Sequence, residues 1–359
     1  MPFRRYLPVA LFIVLVVLVQ IVISLAGANY YLTQLTMSLY YALVAVGLCL
    51  LMGYAGQVSM GQAGFFGIGA YVQAVVTTFD LTPFRDAGAV KFLNTIGFLI
   101  HGKDPLGQPV LYASPWIALV CALLLTAGVA FLIGVPVLKL KGHYLAMATM
   151  GFSIIIYSLV FSIDLLGSAD GKSGVPPFTL VPGVEISGKM DARIDNYYIA
   201  AAVLVIGLVV ALNLVHSRVG RALRAIHGNE QAAGSLGINA SRYKLYTFVL
   251  SAVFAALGGC FLAHYNAAIG PTDIDVMKSV RFVAIVAVGG MDSVWGVLFS
   301  GIVLSFISLR QVFKTYDDAF FAGILIVVML FLPQGLFRYS YVREARDKIR
   351  AWLRKERAR

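Results

Sequence analysis

Nine apolar runs set what this chain can fold into: residues 7–27, 35–53, 62–79, 115–134, 143–163, 197–215, 244–264, 278–310 and 318–333. At about 1.5 Å of rise per residue, some 20 helical residues cross a hydrocarbon core of about 30 Å. A helix also satisfies its backbone groups within the segment, as lipid requires. A membrane β-barrel would alternate apolar and polar residues, whereas these runs are continuous. The 278–310 run is too long for one crossing, and Gly289, Gly290, Asp292 and Gly296 interrupt it. It divides into two short helices, about 278–291 and 295–310. The expectation is an all-α, polytopic transmembrane helix bundle of about ten spans with Gly-interrupted helices. One membrane domain would cover 1–337, followed by a basic tail over 338–359.

Only 13% of the residues are charged, about half the share of a soluble domain. This excludes a soluble enzyme of ordinary design, a disordered chain and a disulfide scaffold. The net charge of +11 matters through its placement. With ten spans and both termini inside, 18 of the 28 Lys+Arg fall on the cytoplasmic side. They are Arg4, Arg5, Lys139, Lys141, Arg218, Arg221, Arg224, Arg242, Lys244 and the tail cations from Arg338 on. That bias agrees with the positive-inside rule. The tail, with Trp352 and Leu353, suits an interfacial helix on anionic lipid and not a nucleic acid. Arg4 and Arg5 before an apolar core could open a signal peptide. The core from Leu7 to Leu25 exceeds the usual length, so a retained first helix is expected.

Three stretches are not simple spans. Over Gly53–Tyr71, Gly recurs at 53, 56, 61, 64, 67 and 69, with Gln57, Ser59 and Gln62 between. Small residues let helices approach closely in lipid, and Gly-broken helices mark transport paths. Both roles are open here. Val288–Gly296 is a second Gly-interrupted run with a polar tip, which hints at an internal repeat. Ser217–Ser241 is a cytoplasmic loop in which Arg221–Ile226 form a short amphipathic helix. Asn229 caps a second helix whose first turn carries Glu230, and Gly237 stops it. Two such helices need a surface: the membrane, or a cytoplasmic protein.

Catalytic motifs fail. Gly167–Ser173 has three residues between its glycines where a phosphate loop needs four. Ser59 lies outside a GxSxG elbow. No catalytic group, cofactor site or metal site is expected: the five histidines are scattered, and no CxxC occurs. Cys49, Cys121 and Cys260, all within apolar runs, read as buried packing residues. Charges within spans are scarce, which argues against an ion- or proton-coupled carrier. The energy must then come from another subunit.

The string Gly53-Tyr54-Ala55-Gly56-Gln57-x-Ser59-x-Gly61-Gln62-Ala63-x-Phe65-Phe66-Gly67-Ile68-Gly69-Ala70-Tyr71 resembles the signature of LivM-type permeases. These are membrane subunits of bacterial importers for branched-chain amino acids, driven by ATP. Leu138–Ala146 is similar to the family's segment entering the fifth span. Gly220–Ile226 and Glu230–Asn239 resemble its coupling loop, and Pro333–Phe337 its ending. Gln62 and Gly64 depart from the His and Ala of many relatives.

The resemblance implies a multi-pass chain of the bacterial inner membrane, itself no enzyme, with both termini cytoplasmic. It implies pairing with a homologous second permease, two cytoplasmic ATP-binding subunits and a periplasmic or extracellular solute-binding protein. Arg221, Arg224, Glu230, Ala232, Ala233 and Gly237 would form the coupling loop. Gly53, Tyr54, Gln57, Ser59, Gln62, Phe65, Gly289 and Gly290 would lie at helix breaks or on the path. Importers of urea, amides and other small solutes share the architecture. A stand-alone carrier or channel and a membrane enzyme are the readings of other classes.

Overall fold

The computed structural model describes residues 3–84, 99–103, 109–140, 142–181, 183–312 and 316–331. Lys141, the Pro333–Phe337 ending, the basic tail and much of the 80–114 loop lie outside the described residues. Twelve α-helices occur among the described residues: α1 (Phe3–Leu25), α2 (Tyr30–Cys49), α3 (Gln62–Thr78), α4 (Pro115–Val137), α5 (His143–Ser162), α6 (Arg193–His216), α7 (Arg218–Gly228), α8 (Glu230–Ser235), α9 (Ala240–Asn266), α10 (Val276–Gly289), α11 (Val294–Leu309) and α12 (Asp317–Phe331). Six apolar segments have full spanning length: Tyr6–Leu25, Tyr30–Tyr54, Pro115–Val137, His143–Ser162, Arg193–His216 and Ala240–Asn266. The helices α3, α10, α11 and α12 are shorter, at 14 to 17 residues. The run at 278–310 is thus two helices joined at Gly290–Ser293.

Local sequence accounts for many boundaries. Pro115 opens α4, where its missing N–H costs nothing. Asn239, Asp275 and Ser293 accept from the first-turn amides of α9, α10 and α11, as N-caps do. At its end α2 widens into a π-turn, Leu50–Tyr54, a geometry that favours functional sites.

In the bundle, α2 and α9 form the inner pair. Helices α6 and α11 pack on α2; α3 and α4 pack on α9; α12 packs on α10. The α3–α9 contact is close because it is built from small residues: Gly69 lies on Ala256, and Gly259 on Phe66 and Ala70. That is the small-residue packing of helices in lipid. Cys49 and Cys260 are buried, but Cys121 is exposed on the outward face of α4. Being in an apolar run did not tell which side of the helix it occupies.

Three two-stranded ribbons lie on the connections: β1 (Leu99–Lys103) with β2 (Pro109–Ala113), β3 (Lys172–Ser173) with β6 (Ala268–Ile269), and β4 (Phe178–Val181) with β5 (Val184–Ile186). Lys172 and Ser173 are therefore paired with Ile269 and Ala268 in a ribbon.

Candidate functional site: two helix breaks beneath a capped loop

The 62–79 run forms α3, a helix of 17 residues. Helix α3 starts at Gln62, level with the middle of its neighbours. The Gln62 Nε2 donates to Ser251 Oγ of α9 at 3.0 Å, and Ser251 is near the middle of that helix. The Ala63 N–H donates to Ser279 Oγ of α10 at 3.0 Å, and the Gly64 N–H to Ser153 Oγ of α5 at 3.3 Å. The Met60 N–H donates to Thr149 Oγ1 at 2.9 Å, while Ser153 Oγ donates to Met60 O at 3.2 Å. Helix starts leave their first amides unpaired. Here hydroxyls on α5 and α10 satisfy them inside the bundle, while Ser251 of α9 holds the Gln62 side chain. Residues 55–61 carry the chain from the end of α2 to this point outside any helix.

Both glycine-interrupted stretches meet. A Cβ on Gly53 would overlap the Met291 carbonyl, so the two backbones touch. Cys49 Sγ donates to Met291 O at 3.2 Å, and Tyr54 OH to Asp292 O at 3.0 Å. Gly290 takes a left-handed φ of +89°. Gly289 packs on Val297 and Ser300 of α11. Gln57 and Gln62 are buried, and each keeps an Oε1 without a hydrogen-bond partner. Ser59 is buried and accepts from the Gly61 N–H at 3.3 Å. Phe65 is a core residue between Phe152 and Phe248, with ring centroids at 4.7 and 5.5 Å.

The 217–241 loop sits at the same end. Ser217 Oγ accepts from the Val219 and Gly220 amides and starts α7. Leu223 and Ile226 turn inward, whereas Arg221 faces out. Arg224 does not face a partner alone: its Nη2 donates to Val215 O at 3.0 Å, clamping α7 to the end of α6. Asn229 Oδ1 accepts from the Ala232 amide, and Glu230 pairs with Lys244 of α9 at 2.7 Å. Gly237, at φ +80°, closes α8: its N–H donates to Gly234 O and that of Ile238 to Ala233 O, the two bonds of a Schellman stop. Ala233 is buried; Ala232 is exposed, as is Leu236 at 79%. The ring of His227 lies beside Gly56, whose Cβ would stand 3.3 Å from its Nδ1. A line of contact thus runs from α7 through Gly56 and Gly53 to Met291.

At the other end of α10, level with the middle of α2, are residues that the sequence did not single out as a group. Lys278 Nζ donates to Asp273 Oδ1 at 2.8 Å and Tyr41 OH at 3.2 Å. Arg281 pairs with Asp317 at 3.0 Å and Asp318 at 2.6 Å. Lys278 and Arg281 are three apart on α10 and so share a face. That spacing, at the head of an apolar run, was the available signal.

Broken apolar helices around a packed bundle, joined to a capped polar loop, define a helical transmembrane permease. A family model described as "Branched-chain amino acid transport system / permease component" matches residues 30–330, and the chain belongs to that family. The permease protein LivM of Salmonella typhimurium, described as part of a high-affinity branched-chain amino acid transport system, is 29% identical over 322 residues. The match covers 84% of this chain and 68% of that protein. LivM of Escherichia coli K12 matches to the same extent. LivH of Salmonella typhimurium is 24% identical over 324 residues, covering 86% of this chain and 95% of LivH. No solved structure matches.

Proposed function

We propose that this chain is the membrane-spanning permease subunit of an ATP-driven importer for branched-chain apolar amino acids in the bacterial inner membrane. It pairs with a homologous permease of the LivH kind. Two cytoplasmic ATP-binding subunits dock on the 217–241 loop, and a solute-binding protein docks at the opposite end. Both termini are cytoplasmic, and ATP hydrolysis belongs to the separate subunits. The observation that carries this reading is the contact line from the loop to both breaks. Arg224 ties α7 to α6, and His227 meets Gly56 next to the Gly53–Met291 contact. A push on α7 therefore reaches two places where helices are already interrupted. Breaks there, with buried amides and hydroxyls, can change shape without unravelling a full span.

The test is reconstitution of the chain with its second permease and ATP-binding subunits in liposomes. ATP-dependent accumulation of L-leucine, L-isoleucine and L-valine is expected when the solute-binding protein is supplied. Accumulation of urea or acetamide in place of these amino acids would refute the substrate. Solute movement by the chain alone, without ATP, would refute the subunit role.

A further inference from the structure

We propose that the crevice between α2, α10, α11 and α12 is a recognition site for a free amino-acid zwitterion with a branched apolar side chain. It lies inside the bundle, at the end of α10 away from the coupling loop. This rests on the amino-acid importer reading. Helix α10 runs toward the loop end at Gly289, and Lys278 and Arg281 occupy its opposite turns, about 12 Å or more from the break.

The crevice holds about 190 Å³. A 150 Å³ cavity admits benzene, so this volume suits about eight non-hydrogen atoms by the same proportion. Valine has that many, and leucine and isoleucine one more. Its walls are apolar: Met37, Phe282, Ile285, Leu309 and Phe321. Its polar groups are Asp273, Lys278, Arg281, Ser305 and Ser308, with the Tyr41 ring beside them. Few polar groups set in an apolar cleft are the usual form of a small-molecule site.

The charges suit both ends of a zwitterion. An ammonium has three donors, and Lys278 uses two of them, on Asp273 and Tyr41. The third is available to a carboxylate. Asp273 takes Lys278 on Oδ1 and the Gly270 amide on Oδ2. Its carboxylate keeps further acceptor capacity for an ammonium. Asp273, Asp317 and Asp318 outnumber Lys278 and Arg281 three to two. A simple anion is therefore a poorer occupant than a molecule carrying its own cation. The side-chain exposures of Lys278 and Arg281, 18% and 28%, leave both reachable yet partly desolvated, where charged hydrogen bonds count most.

The test uses the assembled importer in nanodiscs, with radiolabelled L-leucine and no solute-binding protein. Saturable binding is expected, displaced by L-valine but not by leucinamide or isocaproate, which each lack one charge. Lys278→Gln should weaken binding at least tenfold, the loss of one charged hydrogen bond. Ser305→Phe, which fills the crevice and leaves every ion pair in place, should abolish it. Undetectable binding by the unaltered complex, or equal binding by both variants, would overturn the site. So would equal displacement by isocaproate, or occupancy that follows anionic lipid content in place of leucine. ATP-driven leucine uptake by the unaltered complex is measured in parallel. If uptake proceeds while the binding criteria fail, only this site falls. If uptake itself fails, the importer reading falls.

Discussion

Gly237→Val tests the proposed docking role of the 217–241 loop at one backbone position. Gly237 sits at φ +80° and has open space around it, so a new side chain meets no clash and only the backbone objects. A left-handed residue with a Cβ costs about 1–2 kcal/mol, and a β-branched one lies at the upper end. In the free permease the exposed turn can relax by giving up the bonds from Gly237 and Ile238 to Gly234 and Ala233. Docking of an ATP-binding subunit must restore the turn, so the strain appears in the docking affinity. One to two kcal/mol is about a 5- to 30-fold loss. Titration of purified permease with its ATP-binding subunits measures this, and uptake at limiting ATPase should fall in step. Thermal unfolding of the free permease should barely change. Gly237→Asn is the control, since Asn tolerates this conformation better and should lose less. Docking of Gly237→Val at full affinity would refute the reasoning, as would an equal loss with Asn.

Three further outcomes are expected. Ser279→Ala leaves the buried Ala63 N–H without an acceptor, which costs about 1–3 kcal/mol and should lower the unfolding temperature in detergent; an unchanged temperature would contradict the role of that hydroxyl. Gly53→Ala forces a methyl into the Met291 carbonyl, at about 1–3 kcal/mol. In a Cys121→Ser background it should raise maleimide labelling of Cys49, and unaltered labelling would show that the breaks do not open there. Glu230→Gln removes an ion pair whose carboxylate side is 43% exposed, worth under about 1 kcal/mol, so docking should weaken less than about fivefold. A larger loss would mean that Glu230 touches the partner directly.

The parts of this molecule that follow from neighbouring residues were legible in the sequence. Asn229 and Gly237 bound α8 because cap and stop act within five residues. The interruption at Gly289–Asp292 showed because a 33-residue apolar run cannot be one span. The mid-bundle start of α3 was hidden. Gln62 to Thr78 is apolar enough to pass as a crossing, and what lets it start in mid-bundle is a set of hydroxyls on other helices. The contact between the two breaks was equally hidden, since Gly53 and Met291 are far apart in the chain. Arg221 and Arg224 looked alike on the loop and both are exposed, yet Arg224 is held by a carbonyl that belongs to the preceding helix. The Lys278–Arg281 crevice needed Asp317 and Asp318 from beyond the next helix before its charges made sense.

The seat of α3 also dictates an order of assembly. Its first amides are received by groups 89 residues away at Ser153 and 216 residues away at Ser279. At about 5–20 residues per second, the ribosome needs about 10–40 s to make that later stretch. Throughout that interval the start of the helix has no finished socket. Entry of α3 into the bilayer and its locking into place are therefore separate events in biosynthesis. A chain stopped short of Ser279 exposes an unpaired helix start to lipid, the kind of defect that marks an unfinished membrane protein for degradation.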